Sequence, residues 1–497
     1  PHLESALART PVEDIWGIGR SHTKFLMRNG ILTALDLRGA ETGWVATETL
    51  AGSRLRTNFK DVPNQIETLT KDFMEDLALT NLDQAMSYTA NVENLTDSGT
   101  QGSLDDARIP DKAGRIRSIG VGTRSRNFFQ ITNPTDNFNI ERVTVASGPN
   151  AILFGLGSPA GIFDATPARA LMRNRYGFEL QIDSEDSTRA TFDANTVVRK
   201  DKLALRFMGL SKREQTFKKP NHDRDERWYG ALTFTPFKNT SVILQGEKAN
   251  RSWNRASRNP PSDYVSPWLL VDRIAGSGYT VPKPVFNNTS LAGIGNNVIF
   301  AQSGEPPVLV QGGSGSLQNM RSSVTVRSPG SLPGVDQLFD SDNQRSVDPG
   351  IFPLDANLFG TGHDNLFAAY TRTMIVEQKL ARNLFLELAY NQENANNKGL
   401  AAGSPANGNG YDLQVDANQF IPSTTTPNPN LGKLYRQAGS NSSAGLDRRD
   451  DWRGTLSYEL NLARMLSDRG QWAKWLGRHR IAGLYTESNS ESKTQAG

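Results

Sequence analysis

Residues 148–161 read GPNAILFGLGSPAG, four glycines and two prolines around an apolar knot. Glycines so spaced could cradle a phosphate, because bare backbone N–H groups can converge on an anion. A dinucleotide fingerprint needs a buried strand before the glycines and a helix after them. Here Pro159 and Pro167 bracket AGIFDATP, so no helix starts cleanly. No Lys-Ser or Lys-Thr follows the glycines, which excludes a P-loop. The five histidines, His2, His22, His222, His363 and His479, never fall at i, i+3 or i, i+4. They offer no helical metal pair, and neither a metal nor a cofactor is expected. Cysteine is absent, which removes disulfides and thiolate sites. Acidic pairs such as Asp105–Asp106 and Asp450–Asp451 read as solvated loop charges, and there is no serine nucleophile elbow. Nothing here makes a case for an enzyme.

The elements that must position these residues change character along the chain. Its 497 residues suffice for two or more domains. Hydrophobic residues make up 37%, and no apolar run approaches the ~20 residues of a spanning helix. That leaves a transmembrane β-barrel open, because alternating strands hide their apolar half in the average. The net charge of +3, from 55 basic and 52 acidic residues, argues against a dedicated nucleic-acid binder. The chain opens at Pro1 with no signal pattern and reads as a fragment.

Three segments are expected. Residues 1–42 read as helices, with Thr10 as N-cap, Pro11 at the first helical position and Gly17-Ile18-Gly19 breaking the run. Residues 43–175 read as mixed α/β. A strand is expected near Ile66 to Leu69 and a helix near Asp72 to Leu79, and Thr80, Asn81 and Gln84 form a capping-box pattern. A Gly- and Arg-rich loop spans Gly99 to Arg126, and IERVTVASGP is a strand running into the glycines.

From about Arg175 the period becomes two. In KLALRFMGL, Leu203, Leu205 and Phe207 oppose Ala204, Arg206 and Met208. In NLFLELAYNQE, Leu384, Leu386, Leu388 and Tyr390 oppose Phe385, Glu387, Ala389 and Asn391. In DDWRGTLSYELNL, Trp452, Leu456, Tyr458 and Leu460 oppose Arg453, Thr455, Ser457 and Glu459. Strands of about 9–11 residues are expected, enough to cross a bilayer with tilt. Short turns such as 198–202 and 236–239 alternate with long polar stretches, the largest from about Asn250 to His363. That is the outer-membrane barrel pattern, although a soluble β-sandwich also alternates.

FNIERVTVASGPNAILFGLGSPAGIFDA resembles the plug of TonB-dependent outer-membrane receptors. Glu141, Arg142, Val143, Gly148, Pro149, Leu153, Phe154, Gly155, Gly157 and Gly161 fill the signature. LAGSRLRTNFKDVPNQIETLTKDFMEDL, RSIGVGTRSRNFFQITNPTDNFN and KWLGRHRIAGLYTE also resemble pieces of that family, so the likeness runs from about residue 43 to 497. It implies an α/β plug over 43–175, then the N-terminal part of a 22-stranded antiparallel barrel over 176–497. Two departures stand out. Ser147 replaces the usual Arg before Gly-Pro, and Arg115-Ile116-Arg117-Ser118 replaces Arg-x-Arg-Gly.

The resemblance further implies a bacterial outer-membrane location, contact with its lipid and uptake of a scarce siderophore or carbohydrate, a small molecule or oligosaccharide. The TonB–ExbB–ExbD complex would drive it, pairing with a TonB box by β-augmentation. No such box is found in residues 1–42. The plug loop carrying Arg115, Arg117, Arg124 and Arg126 is the candidate ligand-facing apex for an anionic ligand. The alternative is that these arginines face carboxylates of the barrel wall. The glycines would then serve tight turns in a crowded lumen. A barrel cut to 8–12 strands would leave backbone groups unpaired, and aggregation is expected.

Residues 1–42, TPVEDIWGIGRSHTKFLMRNGILTALDL within them, are similar to the helix-hairpin-helix segment of Y-family, UmuC-type polymerases. There Gly17 and Gly19 would present N–H groups to a phosphate. No palm carboxylates accompany them. A DNA-repair piece on an exported receptor suggests a junction of unrelated reading frames near residues 39–44. Nucleic acid is thus a partner only if residues 1–42 act alone. A DNA-binding module and a soluble β-rich binding or adhesion protein are the alternative functions.

Overall fold

The computed structural model describes residues 43–44, 46, 48–49, 57–59, 62, 65–93, 114–117, 119–148, 158–217, 219–254, 298–300, 308–310, 355, 364–403, 413–415, 425–436, 439–462 and 478–496. The helices expected in residues 1–42 lie outside them, as do Pro149, Leu153, Phe154, Gly155 and Gly157 of the glycine segment.

The first body is a small α/β globule. Strand β1 (Ile66–Thr70) leads directly into helix α1 (Lys71–Asp76). Thr70 caps that helix, its hydroxyl accepting from Phe73 N at 3.2 Å. Helix α2 (Leu82–Met86) starts at the expected box. Asn81 Oδ1 accepts from Gln84 N at 2.9 Å, and Gln84 Oε1 reaches back to Thr80 N at 2.7 Å. Four further strands follow: β2 (Thr123–Arg126), β3 (Phe129–Gln130), β4 (Ile140–Ser147) and β5 (Gly161–Pro167). They form one sheet in the order β1-β4-β5-β2-β3, with β5 and β2 parallel and the other neighbours antiparallel. Leu69, Met74, Leu82, Met86, Val143 and Phe163 bury its core.

The glycines flanking the signature do what the backbone demands. Gly148 (φ +83°) and Gly161 (φ +141°) occupy conformations that L-residues avoid. A Cβ on Gly161 would collide with Ala146 O across the β4–β5 ladder.

The second body is an antiparallel sheet of nine strands in sequence order. They are β6 (Arg175–Ile182), β7 (Thr188–Arg199), β8 (Leu203–Glu214), β9 (His222–Phe237), β10 (Thr240–Asn254), β11 (Asn365–Ala381), β12 (Leu384–Gly403), β13 (Gly439–Asn461) and β14 (Arg478–Ala496). It is an incomplete barrel, with β6 and β14 as its two edges among the described residues.

The faces expected from alternation are real, and their polarity is inverted relative to a soluble sheet. Leu205, Phe207, Leu388, Trp452 and Leu456 are exposed, whereas Ala204, Arg206, Met208, Asn391, Arg453 and Thr455 are buried. Outward apolar and inward polar side chains are the signature of a barrel wall facing lipid. A sandwich would bury the apolar set, so that reading falls. All of these strands but β6, which has 8 residues, exceed the expected 9–11, reaching 23 in β13. The ladder continues past the apolar belt: Gly439 to Asp451 stay hydrogen-bonded to β12 without an apolar face.

Candidate functional site

The polar inner face of the wall meets the globule, and the contact is built from charged side chains far apart in sequence. Its plug side begins at the β2–β3 turn. Asn127 (φ 50°) and Phe128 (φ 59°) are both left-handed, the geometry of a two-residue type I′ hairpin. Buried Asp164 on β5 holds that turn, accepting from Ser125 Oγ at 2.7 Å and Phe128 N at 2.6 Å. The turn sends Arg126 and Asn127 to the wall. Arg126 Nη1 pairs with Glu247 on β10, and Asn127 Nδ2 donates to Gln245 at 2.7 Å. From β13, Arg453 Nη1 donates to Asn127 O at 2.7 Å, while its guanidinium lies over the Phe129 ring.

The loop between β3 and β4 supplies the next layer. Glu393 on β12 accepts three bonds at one oxygen, from Thr132 N (2.9 Å), Thr132 Oγ1 (2.6 Å) and Asn133 N (3.1 Å). Asp136 caps a 3-10 turn through Phe138 N and also takes Arg189 Nη2 of β7 at 2.7 Å. Asn139 Nδ2 donates to Glu247 at 2.8 Å.

Arg227 on β9, only 1% exposed, joins the layers. It is bidentate to Asp225 (2.8 and 2.7 Å), and it donates to Glu247 at 3.2 Å and to Pro134 O at 2.8 Å. Buried charge is tolerable here because most of these guanidinium and carboxylate atoms are matched by hydrogen-bonded partners, Glu393 Oε2 and Arg189 Nε being the exceptions.

A lower set holds the exit of the globule. Arg206 is bidentate to Asp193 (2.8 and 2.7 Å) and donates to Glu141 at 3.0 Å. Arg169 pairs with Glu377 at 2.9 Å, and Tyr229 OH donates to Ala168 O at 2.6 Å.

The residues singled out from sequence divide accordingly. Glu141 meets the wall through Arg206, while Val143 lies in the core. Arg142 is half-buried opposite Thr70 in the β1–β4 register. Buried Ser147, in place of the usual Arg, bonds through its N–H to Gln65 O at 3.1 Å.

The four loop arginines do not form one surface. Arg126 is buried against Glu247 and lies over the Tyr229 ring, so it takes the wall-facing alternative and not the ligand-facing one. Arg117 is exposed and donates to Gln65 within the plug. Arg115 is exposed and Arg124 half-buried.

Sequence reading missed the wall partners Asp193, Glu247, Arg227, Glu393 and Glu377. Their signal was present as charge at alternate positions of strands with an apolar other face. Among the described residues, no group of three His, Asp or Glu side chains could hold a metal ion.

Comparison with known proteins agrees with this architecture. Residues 58–162 match the family model of the TonB-dependent Receptor Plug Domain. The ferrioxamine receptor of Yersinia enterocolitica is 24% identical over 213 residues, 41% of this chain and 29% of that protein. The metal-pseudopaline receptor CntO of Pseudomonas aeruginosa is 23% identical over 173 residues, 35% of this chain and 24% of that protein. The chain thus matches less than a third of the length of either relative. The crystal structure of the ferripyoverdine receptor of the Pseudomonas aeruginosa outer membrane superposes with a TM-score of 0.55 at 12% identity. That likeness covers 90% of this chain and 45% of the other. The polymerase resemblance of Gly17 and Gly19 gains no support, since the plug match starts at residue 58. The fold is that of a receptor plug seated against part of an outer-membrane β-barrel, and its place is the outer membrane.

Proposed function

We propose that this chain is the plug and first wall strands of a TonB-dependent receptor that takes up a metal complex bound to a siderophore-type chelator. One observation carries the reading: the wall holds a separately packed globule across its polar inner face through buried, charge-assisted bonds. A stopper inside a barrel has a use only if something crosses when it moves. The TonB–ExbB–ExbD complex supplies the pull, and the proton gradient of the inner membrane supplies the work. The metal-complex class, in preference to a carbohydrate, rests on the ligands named for the two curated relatives. Arg115 and Arg117, exposed on the plug, are the side chains proposed to meet an anionic ligand.

The test is uptake by cells that lack their own ferric-complex receptors and carry in the outer membrane a complete receptor built on this plug and these wall strands. Iron-labelled ferrioxamine is offered beside a labelled oligosaccharide. The expected result is saturable iron uptake that stops when TonB is deleted or the gradient is collapsed. Oligosaccharide uptake alone would replace the ligand class. Iron entry indifferent to TonB would overturn the reading.

A further inference from the structure

The outer, lipid-facing side of the wall carries a recess that the fold leaves open. Gly209 on β8, Gly230 on β9 and Gly246 on β10 each stand between buried, inward residues and so face outward. The chain covers the first of them itself: a Cβ on Gly209 would collide with the Phe192 ring of β7. The other two stay bare. Gly230 and Gly246 are register partners. A Cβ on Gly230 would meet nothing within 4 Å, and one on Gly246 only Thr371 O at 3.8 Å. Across four strands the row reads Phe207, Gly230, Gly246, Arg372. Two bare positions side by side therefore make a notch between a ring and a cation. Phe207 stacks on Trp228, with centroids 5.7 Å apart and 12° between planes, and walls one end. The next row toward the short turns is apolar, with Leu232, Leu244 and Met374 in register.

The other end of the notch is cationic. Lys248 stands opposite Tyr370, and Arg372 opposite Gly246, so the two are diagonal neighbours about 7–8 Å apart along the sheet. The Arg372 guanidinium lies over the Tyr370 ring, 5.1 Å from its centroid, which brings it toward the row of Lys248. Both cations are exposed, and among the described residues neither has an ion pair. Glu226, an outward carboxylate, is one row farther out, opposite Asn250. The same rows on β12 and β13 are built differently. There Asp450 accepts from Arg448 at 3.0 Å, from Tyr390 OH at 2.7 Å and from Gln392 Nε2 at 2.9 Å. One stretch of the rim neutralises its own cation, and the stretch at β10–β11 does not.

Height decides what can reach it. The β9–β10 turn is short, whereas the chain joining β10 to β11 is long, and long connections mark the extracellular rim. Lys248 is eight residues above Thr240, roughly 20 Å up a tilted strand, near the outer edge of an apolar band about 25 Å tall. We propose that this notch binds a phosphate-bearing lipid of the outer leaflet. Its phosphate sits between Lys248 and Arg372, and an acyl chain runs over the glycines toward Leu232 and Leu244. Ammonium and guanidinium groups are strong phosphate partners. A zwitterionic head group brings its own cation and gains little there. The inference concerns the wall and holds whatever cargo crosses.

The test is native mass spectrometry of a complete receptor built on these strands, in a nonionic detergent, with dimyristoyl phosphatidic acid as the probe. Dimyristoyl phosphatidylcholine is the control. Lys248→Gln with Arg372→Gln should lower retention of phosphatidic acid at least about tenfold and leave phosphatidylcholine unchanged. Gly246→Leu keeps both cations and fills the notch, and it should lower retention at least about fivefold. Both changes face lipid, and heat-modifiable migration checks that each variant is folded. Full retention in the double variant overturns the site. Loss with the charge variant but not with Gly246→Leu means that charge alone attracts the lipid, and overturns the notch. Displacement of the lipid by excess inorganic phosphate means a free-anion site, and overturns the membrane source.

Discussion

The interior of the plug and the surface it presents to the wall are both buried, but by opposite means. The interior is apolar: Met74, Leu82, Met86, Ile116, Val143 and Phe163 are all at most 2% exposed. The surface against the wall is mainly ionic, with Arg126, Glu247, Arg227, Asp136, Arg189 and Glu393 each under 10% exposed, although Phe129 and Phe138 also pack on apolar wall side chains. Apolar burial is non-directional and survives sliding. Ion pairs and hydrogen bonds are directional, and water can take over each one as it breaks. The plug therefore keeps its own shape through its core and its position chiefly through bonds that water can replace. A body that must stay folded while it moves is built this way.

That contrast can be broken from either side. Phe163 is 0% exposed between the two helices and the sheet. Phe163→Ala should cost about 3–5 kcal/mol, the lost burial plus the cavity left behind. Denaturant titration followed by hydrogen exchange at residues 143–146 reads it, and a loss below about 1 kcal/mol would show a core that collapses onto the gap. Glu247→Ala should come next, at about 3 kcal/mol, because Arg126 and Arg227 stay buried with one fewer counter-charge. Its signature is local. Exchange should rise across residues 131–139 while 143–146 keep their protection. If both segments loosen together, plug cohesion and plug attachment are one property and the contrast fails.

Legibility in the sequence followed range. Capping at Asn81 and Gln84 is a contact three residues long, and it was readable. So were the faces of β8 and β13, because Leu205 against Arg206 and Trp452 against Arg453 repeat a local period. The type I′ turn at Asn127-Phe128 was not readable: it lacks glycine and depends on Asp164, which is 36 residues away from Phe128. Arg126 was visible as a cation but its partner was not, since Glu247 lies 121 residues on in a different body. Alternation says that a side chain points inward and cannot say what it meets there. Strand length was underestimated for a related reason. The ladder of β13 runs on through Gly439 to Asp451, where backbone pairing persists but the apolar signal has ended.

The smallest expected effect probes the α1 side of the plug, where charge is only half-buried. Asp72 stands in the first turn of α1 and accepts from Gly43 N at 3.0 Å. Burial pushes its carboxyl above the ordinary value, the Gly43 N–H pulls it back, Glu75 raises it, Arg175 of β6 lowers it, and Asp76 adds to the rise. A carboxyl whose folded pKa is raised is favoured by the fold in its protonated form. Its contribution is fully present below the unfolded value of about 3.9 and is lost as pH climbs through the raised folded value. Asp72→Asn keeps an acceptor for Gly43 and removes the charge, but it also gives up a favourable anion at a helix N-terminus. The two effects oppose each other, so neutral-pH stability should move by no more than about 0.5 kcal/mol. The variant should instead flatten the pH dependence. Melting curves of the two proteins should converge or cross in favour of Asn as pH rises from about 4 to about 8. A variant that falls progressively behind the parent over that range would mean that the Asp72 charge is used by the fold, and that the α1 side is held electrostatically like the rest.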